Sequence, residues 1–196
     1  MSEGTGRVLF VCTGNICRSP LAAALLAAAA PDVDVASAGT AVVEGAPCPA
    51  AILAEADALG LDLRGHVSAP LTRDVLDGAD LVLALAREHR AAVARSSPRA
   101  ARRTFTLREA ARLASSLDPR DREAVRSACT SKARVTSAAL TLATRRGTVA
   151  LLAPGDDDVV DPVGQSQATH ALARTQITEG LGPLLPLLQA PSRHDG

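Results

Sequence analysis

Arg7-Val8-Leu9-Phe10-Val11-Cys12-Thr13-Gly14-Asn15-Ile16-Cys17-Arg18-Ser19-Pro20 begins as an almost wholly apolar run and changes character within two residues of Cys12. A short apolar run without polar alternation reads as a strand buried on both faces, the pattern of a central strand in a parallel sheet. Gly14 ends it. Ser19 and Pro20 then supply a helix-start signal, and Leu21 through Ala30 are nearly all strong helix formers. Strand, tight loop and helix follow one another directly, and that unit decides the fold. Working outward, Asp32 to Ser37 alternates as a second strand, and Cys48 to Leu59 reads as a helix that Gly60 is placed to cap. Ala79 to Leu85 is a third buried strand, and Arg102 to Leu107 a weaker fourth. Strands alternating with helices imply right-handed parallel crossovers. The expected fold is therefore α/β, a three-layer doubly wound sheet of four parallel strands with helices on both faces. Its ligand site belongs beyond the carboxyl ends of the strands, where the Cys12 loop stands.

The remainder of the chain is less regular. From Asp118 to Arg146 it turns charged and helix-compatible without a clean apolar stripe, which reads as a helical insertion. Asp156-Asp157-Asp158 and Val159-Val160-Asp161-Pro162 form an acidic loop, after which Gln165 to Leu188 makes a closing helix interrupted near Gly182-Pro183. The closing leucines read as core. Residues 1–190 are expected to form a single domain, with 191–196 a flexible tail.

Composition narrows the classes. With 196 residues and 47% apolar content, the chain can bury one substantial core. Lysines and arginines number 21 and so do aspartates and glutamates, so no overall field draws the protein to nucleic acid or an anionic membrane. Any binding charge must be local. No stretch reaches the roughly 18 uninterrupted apolar residues of a membrane span, and the alanine-rich run after Pro20 lacks a basic leader and a cleavage pattern. A soluble cytoplasmic protein is expected. Cys12, Cys17, Cys48 and Cys129 show no disulfide framework, so they are expected as thiols. Cys12 and Cys17 lack the second pair or histidine cluster that would complete a tetrahedral metal set, so no metal is expected.

The chemistry lies between Cys12 and Arg18. A phosphate dianion needs several inward-pointing N–H donors, and the five residues Thr13, Gly14, Ile16, Cys17 and Asn15 can curl their amides around one anion. Gly14 is expected to allow a backbone conformation that a side chain would oppose, and Arg18 to fork onto two phosphate oxygens. Cys12 would then sit beneath the phosphorus. Amides, helix N-terminus and guanidinium all favour thiolate over thiol, which makes an ionised nucleophile at neutral pH. It can take the phosphoryl group as phosphocysteine without a metal or cofactor. A carboxylic acid must protonate the leaving oxygen, and Asp161, before Pro162 in a late loop, is the best candidate. Asp156, Asp157 and Asp158 compete with it but read as solvated charges.

Val11-Cys-Thr-Gly-Asn-Ile-Cys-Arg-Ser-Pro20, Ser37-Ala-Gly-Thr40, Gly65-His66 and Asp161-Pro162 together resemble the low-molecular-weight protein tyrosine phosphatases. The resemblance covers residues 7 to 115 and about 147 to 188. It implies a nucleophile at Cys12, phosphate binding by Arg18 and the loop from Thr13 to Cys17, and a general acid at Asp161. It further implies that Asn15, Ser19, Ser37 and His66 brace the loop, and that Cys17 can form a reversible disulfide with Cys12. Tyrosine-phosphorylated protein or peptide is the implied substrate. Three features depart from the family pattern. Val163-Gly164 stands where aromatic residues commonly follow Asp-Pro, no aromatic follows Ser37-Ala-Gly-Thr40, and the stretch from Asp118 to Arg146 has no counterpart in compact members.

Blander readings stand beside these. His89, His170 and His194 read as solvated, His66 as a structural loop histidine, and Cys48 and Cys129 as apolar fillers or idle thiols. Arg87, Arg90, Arg95, Arg99, Arg102 and Arg103 read as a solvated helix face. Two rival functions are a thiol-coupled arsenate reductase on the same loop and a catalytically weak phosphoprotein-binding module. Ile16 argues for aryl phosphate, because the related protein-arginine phosphatases carry threonine at the equivalent loop position.

Overall fold

The structure is a computed structural model that describes residues 4–150, 153 and 155–191. His194 and the expected tail beyond Pro191 lie outside the described residues. Strand β1 (Arg7–Cys12) is central. It pairs in parallel with β2 (Asp34–Gly39) on one side and β3 (Leu81–Ala84) on the other, and β3 pairs in parallel with β4 (Thr104–Thr106). The order β2-β1-β3-β4 reverses direction after β2. The loop after β1 therefore opens at the switch point of the sheet, the position where open α/β sheets bind ligands.

Period-two alternation along β1 assigns its side chains to two cores. Val8, Phe10 and Cys12 join one apolar layer, while Leu9 and Val11 join the other. Every residue of β1 after Arg7 is buried, so the run carries no polar alternation. The first layer is closed by α1 (Arg18–Ala29), α2 (Ala50–Asp57), α5 (Leu107–Ser115), α7 (Ser131–Thr144), α8 (Gln167–Leu181) and α9 (Leu185–Leu188). The second is closed by α3 (Arg73–Asp77) and α4 (Arg87–Ser96), through Leu76 and Val93. Phe10 and Phe105, the only aromatics of the chain, are both fully buried.

Boundaries follow local chemistry. The second strand runs two residues later than its alternation suggests, because Asp32 is drawn into an ion pair with Arg134 and Val33 turns back onto Ala30. Helix α2 starts only after Pro49 and closes with Gly60 at φ +70°, where the Leu61 amide donates to the Ala56 carbonyl. That bond and the left-handed Gly60 make the expected Schellman-type stop.

The stretch from Asp118 to Arg146 forms α6 (Pro119–Arg126) and α7. Contrary to expectation it does carry an apolar stripe. Ser131, Arg134, Val135, Ala138, Ala139 and Leu142 are buried at helical spacing, and α7 packs against β1, β3, α5 and α9. Two members of the stripe are polar, which hides it in the sequence. Ser131 is satisfied by the Gly6 amide and the Gly4 carbonyl, and Arg134 by Asp32 and the Leu188 carbonyl. No helix among the described residues is long and apolar enough to cross a membrane.

Candidate active site

The loop from Cys12 to Arg18 is built around Asn15. Its backbone stands at φ +52°, in the left-handed region that asparagine tolerates better than most residues. Gly14 does not occupy that region, and a Cβ there would meet nothing nearer than Ile16 Cγ1 at 3.5 Å. The conformational demand expected of the glycine thus falls on the asparagine beside it. Four hydrogen bonds hold Asn15 there. Its Nδ2 donates to Ser19 Oγ at 2.9 Å and Ser37 Oγ at 2.8 Å, its Oδ1 accepts from the Ala69 amide at 2.9 Å, and its carbonyl lies 2.7 Å from His66 Nε2. Asn15 is fully buried, so each lost bond would leave an unpaired group at about 1–3 kcal/mol.

Gly39 lets the brace close. A Cβ on it would lie 2.5 Å from the Thr13 carbonyl, inside any real contact. Without one, the Thr40 amide reaches the Cys12 carbonyl at 2.9 Å and the Ala41 amide reaches the Thr13 carbonyl at 3.0 Å. The structure therefore brings together Asn15, Ser19, Ser37 and His66 around the loop.

Cys12 lies 2% exposed at the floor of this loop. Its Sγ is 2.9 Å from Ser19 Oγ and accepts the Asn15 amide at 3.3 Å. The amides of Gly14, Ile16 and Cys17 make no hydrogen bond among the described residues, so these donors remain available to an anion. Arg18 is the first residue of α1 and only 4% exposed. Its NH1 donates to the Val159 carbonyl at 3.3 Å and its NH2 to Asp161 Oδ2 at 2.8 Å. Nucleophile candidate, guanidinium and carboxylate thus converge, although Arg18 and Asp161 stand 143 residues apart. Burial, reinforced by the charges of Cys12, Cys48 and Asp161, pushes the Cys17 thiol up to about 12, with Arg18 opposing. Burial, with Cys12, pushes Cys48 up to about 11. Both stay protonated at neutral pH.

Of the three aspartates expected to be solvated, Asp156 is exposed, Asp158 half-buried and Asp157 buried. Asp157 is buried between Arg87 at 3.1 Å and Arg112 at 2.9 Å, and Asp158 Oδ1 accepts the Arg87 amide at 2.7 Å. Asp156 accepts the Ala153 amide through Oδ2. The Val159 amide continues the sheet edge by donating to the Leu85 carbonyl, and the Val160 amide donates to Gln176 Oε1. These bonds set the register that delivers Asp161 to Arg18. Arg87 and Arg103 are half-buried and held by Asp157 and the Leu76 carbonyl, whereas Arg90, Arg95, Arg99 and Arg102 are exposed as was expected of all six, Arg90 with Glu109 as its partner. Val163, where an aromatic would be usual, is 53% exposed.

His89 and His170 are buried, not solvated. Each lies on the inner stripe of its helix, His89 four residues before Val93 on α4 and His170 three before Ala173 on α8, and that spacing is the signal that could have placed them. His89 matters to the site. Its Nε2 is hydrogen-bonded to Thr13 Oγ1 at 2.9 Å, on the flank of the loop opposite to Ser37 and His66. Desolvation, helped by the Arg18 charge and opposed by Asp161, brings His89 down to about 4. Glu88 reaches within 3.3 Å of the same nitrogen, but its side chain is largely exposed and its charge screened. With Nδ1 buried and unpartnered among the described residues, a second proton would have no acceptor.

A pH effect follows. The unfolded chain takes up a proton near 6.5 and the folded chain only near 4, so stability rises with pH across that window and is lost as pH falls through it. The loss is expected to approach about 3 kcal/mol at pH 4. Urea midpoints measured between pH 7 and pH 4 should show it, and His89→Gln should flatten the dependence. A variant that kept the full slope would assign it to other groups.

Fold and site together define an α/β protein that carries a cysteine-floored anion loop at the switch point of a parallel sheet, with an arginine and a carboxylate closing over it. The chain belongs to the family described as low molecular weight phosphotyrosine protein phosphatase, whose model matches residues 7–121, and so stands among hydrolases of phosphoric monoesters. It is 41% identical over 108 residues to a protein-arginine-phosphatase of Bacillus subtilis, a match spanning 52% of this chain and 70% of the relative. It is likewise 41% identical over 91 residues to the low molecular weight protein-tyrosine-phosphatase Etp of Escherichia coli, spanning 46% of this chain and 62% of that one. Among solved structures, YwlE arginine phosphatase from Geobacillus stearothermophilus superposes with a TM-score of 0.65 at 28% identity, covering 92% of this chain and 90% of its own.

Proposed function

We propose that this chain is a protein tyrosine phosphatase that releases phosphate from phosphotyrosine through a phosphocysteine on Cys12. The observation that carries the reading is the convergence of buried Arg18 and Asp161, 2.8 Å apart, over the loop whose floor is Cys12. A phosphate seated in that loop accepts from the unspent amides and from Arg18, which then shares its guanidinium between substrate and Asp161. The thiolate attacks phosphorus, the S–P bond forms and the P–O bond to the tyrosyl oxygen breaks. Protonated Asp161 gives its proton to the departing phenoxide. In the second half Asp161 takes a proton from water, the water oxygen attacks phosphorus, the S–P bond breaks, and inorganic phosphate leaves with the thiolate restored. Charge on the equatorial oxygens meets donors already fixed by Asn15, Ser37, His66 and His89, so little reorganisation is needed. The scheme uses no metal or cofactor. Residues 1–190 act in it as one unit in the cytoplasm, on tyrosine-phosphorylated protein or peptide.

Substrate choice rests on Ile16. An isoleucine offers only aliphatic surface at a loop position where the protein-arginine phosphatases carry threonine, so it supplies no hydrogen bond to a guanidinium leaving group. The identity to the Bacillus subtilis protein-arginine-phosphatase and the likeness to the Geobacillus stearothermophilus arginine phosphatase favour the second reading, hydrolysis of phosphoarginine. Comparing kcat/KM on a phosphotyrosine peptide and a phosphoarginine peptide decides between them. Wild type is expected to prefer phosphotyrosine by roughly tenfold or more, and Ile16→Thr to move the ratio toward phosphoarginine by a similar factor. A wild-type preference for phosphoarginine would overturn the aryl reading.

A further inference from the structure

A broad cavity stands away from Cys12. It has a volume of about 710 Å³ and lies between α4, α5 and the segment after α7. Arg87, Arg90, Arg112 and Arg146 line it, against only two carboxylates, Glu109 and Asp157. Each carboxylate bridges two guanidiniums. Asp157 takes Arg87 and Arg112, and Glu109 takes Arg90 at 2.8 Å and Arg146 at 3.1 Å. Glu109 is further committed through Oε2 to the Thr106 amide, within the capping box of α5. The lining thus carries two positive charges more than negative ones, inside a concave and partly apolar wall that strengthens their field.

Three properties fit this cavity to a ligand and not to structure alone. Its volume lies within the range of small-molecule sites. Its guanidiniums are preorganised by carboxylates and, for Arg146, by stacking 3.9 Å over the Phe105 ring, so little side-chain entropy remains to be lost on binding. Its remaining wall is aliphatic, from Ala91, Ala94, Leu113 and Val149, which suits an apolar body and not a bare inorganic ion. We propose that this cavity is a second, non-catalytic site for a small organic phosphate, its dianionic phosphoryl group held by the guanidiniums and its carbon body against the aliphatic wall. The site would report to the acid-bearing loop, because Asp157 belongs to both and stands four residues before Asp161.

The proposal does not depend on the chemistry assigned to Cys12, and its test keeps the two apart. Calorimetric titration of the full chain with butylphosphonate, first alone and then after saturation of the Cys12 loop with vanadate at micromolar concentration, counts the sites. The expected result is a phosphonate site that survives vanadate. Ala91→Glu sets a new carboxylate on an exposed lining position without removing any existing bond and should weaken that site about tenfold, and Arg90→Gln by a similar factor. Inorganic phosphate, which lacks the carbon body, should bind there more weakly than the phosphonate. Vanadate binding itself should be unchanged in both variants. The proposal is overturned if no phosphonate binds beside vanadate, or if it binds equally well to wild type and Ala91→Glu.

Discussion

Cys12→Ser is expected to abolish phosphate release, by a factor on the order of 10⁴ or more, while the variant folds and still binds oxyanion. The exchange removes one polarisable atom from a site 2% exposed and puts a hydroxyl in its place. A serine Oγ can keep both of the contacts that Sγ makes, with Ser19 Oγ and with the Asn15 amide. What it cannot offer is a nucleophile that ionises as readily as a thiol. The pKa of an aliphatic hydroxyl lies far above that of a thiol, and no general base stands ready to take its proton, since His89 is engaged with Thr13 and Asp161 with Arg18. The loop donors and Arg18 are untouched, so ground-state affinity for phosphate or vanadate should stay within a few-fold of wild type. Phosphate release and calorimetric vanadate binding, measured on one preparation, check both halves. Turnover within tenfold of wild type would remove Cys12 from the chemistry, and lost vanadate binding would show that the loop needs the sulfur to hold its shape.

Much of this was legible in the sequence, and the reason is that strand β1 and its loop are local objects. A run buried on both faces, a turn and a helix start determine one another within fourteen residues, and the parallel sheet follows from that unit and its repeats. The residues converging on the loop were legible as types at the right chain positions, Ser37 and Gly39 at the end of the neighbouring strand and Asp161 after the last excursion. Features of the third dimension were not. Nothing local tells Asn15 from Gly14 as the bearer of the left-handed backbone, because that choice is made by the Ala69 amide and by Ser37, distant in sequence. Asp157 reads as solvated in the sequence because its arginine partners lie on α4 and α5. The stripe of α7 was masked by Ser131 and Arg134, whose polar ends are satisfied by the chain near Gly6, by Asp32 and by Leu188. Asp157, Ser131 and Arg134 are polar residues that are buried and paired, which single-sequence periodicity cannot distinguish from exposed ones.

The second large effect concerns the proton. Asp161→Asn is expected to lower kcat on a phosphotyrosine peptide by about 10²- to 10⁴-fold, and to do so unequally across substrates. Asparagine is nearly isosteric, and its Oδ1 can still accept from Arg18 NH2, so the guanidinium stays aimed at the loop. Only the transferable proton is gone. A tyrosyl oxygen, with a pKa of about 10, leaves poorly without it, whereas a strongly electron-withdrawn aryl oxygen such as nitrophenolate leaves with far less help. The loss should therefore shrink by an order of magnitude or more on nitrophenyl phosphate, and the basic limb of the pH profile of kcat should flatten on the peptide. The competing role is visible in the same ion pair, since Asp161 could serve only to position Arg18. In that case the substitution would raise KM and weaken vanadate binding to the same degree for both substrates, with the pH profile unmoved. Leaving-group dependence separates a carboxyl that gives a proton from one that merely holds an arginine, and the exposure of the Asp161 side chain, 50% against 5% for Arg18, favours the former. A group whose task was to pin a buried guanidinium would gain from being buried with it, whereas one that must collect and release a proton each turnover needs its edge in water.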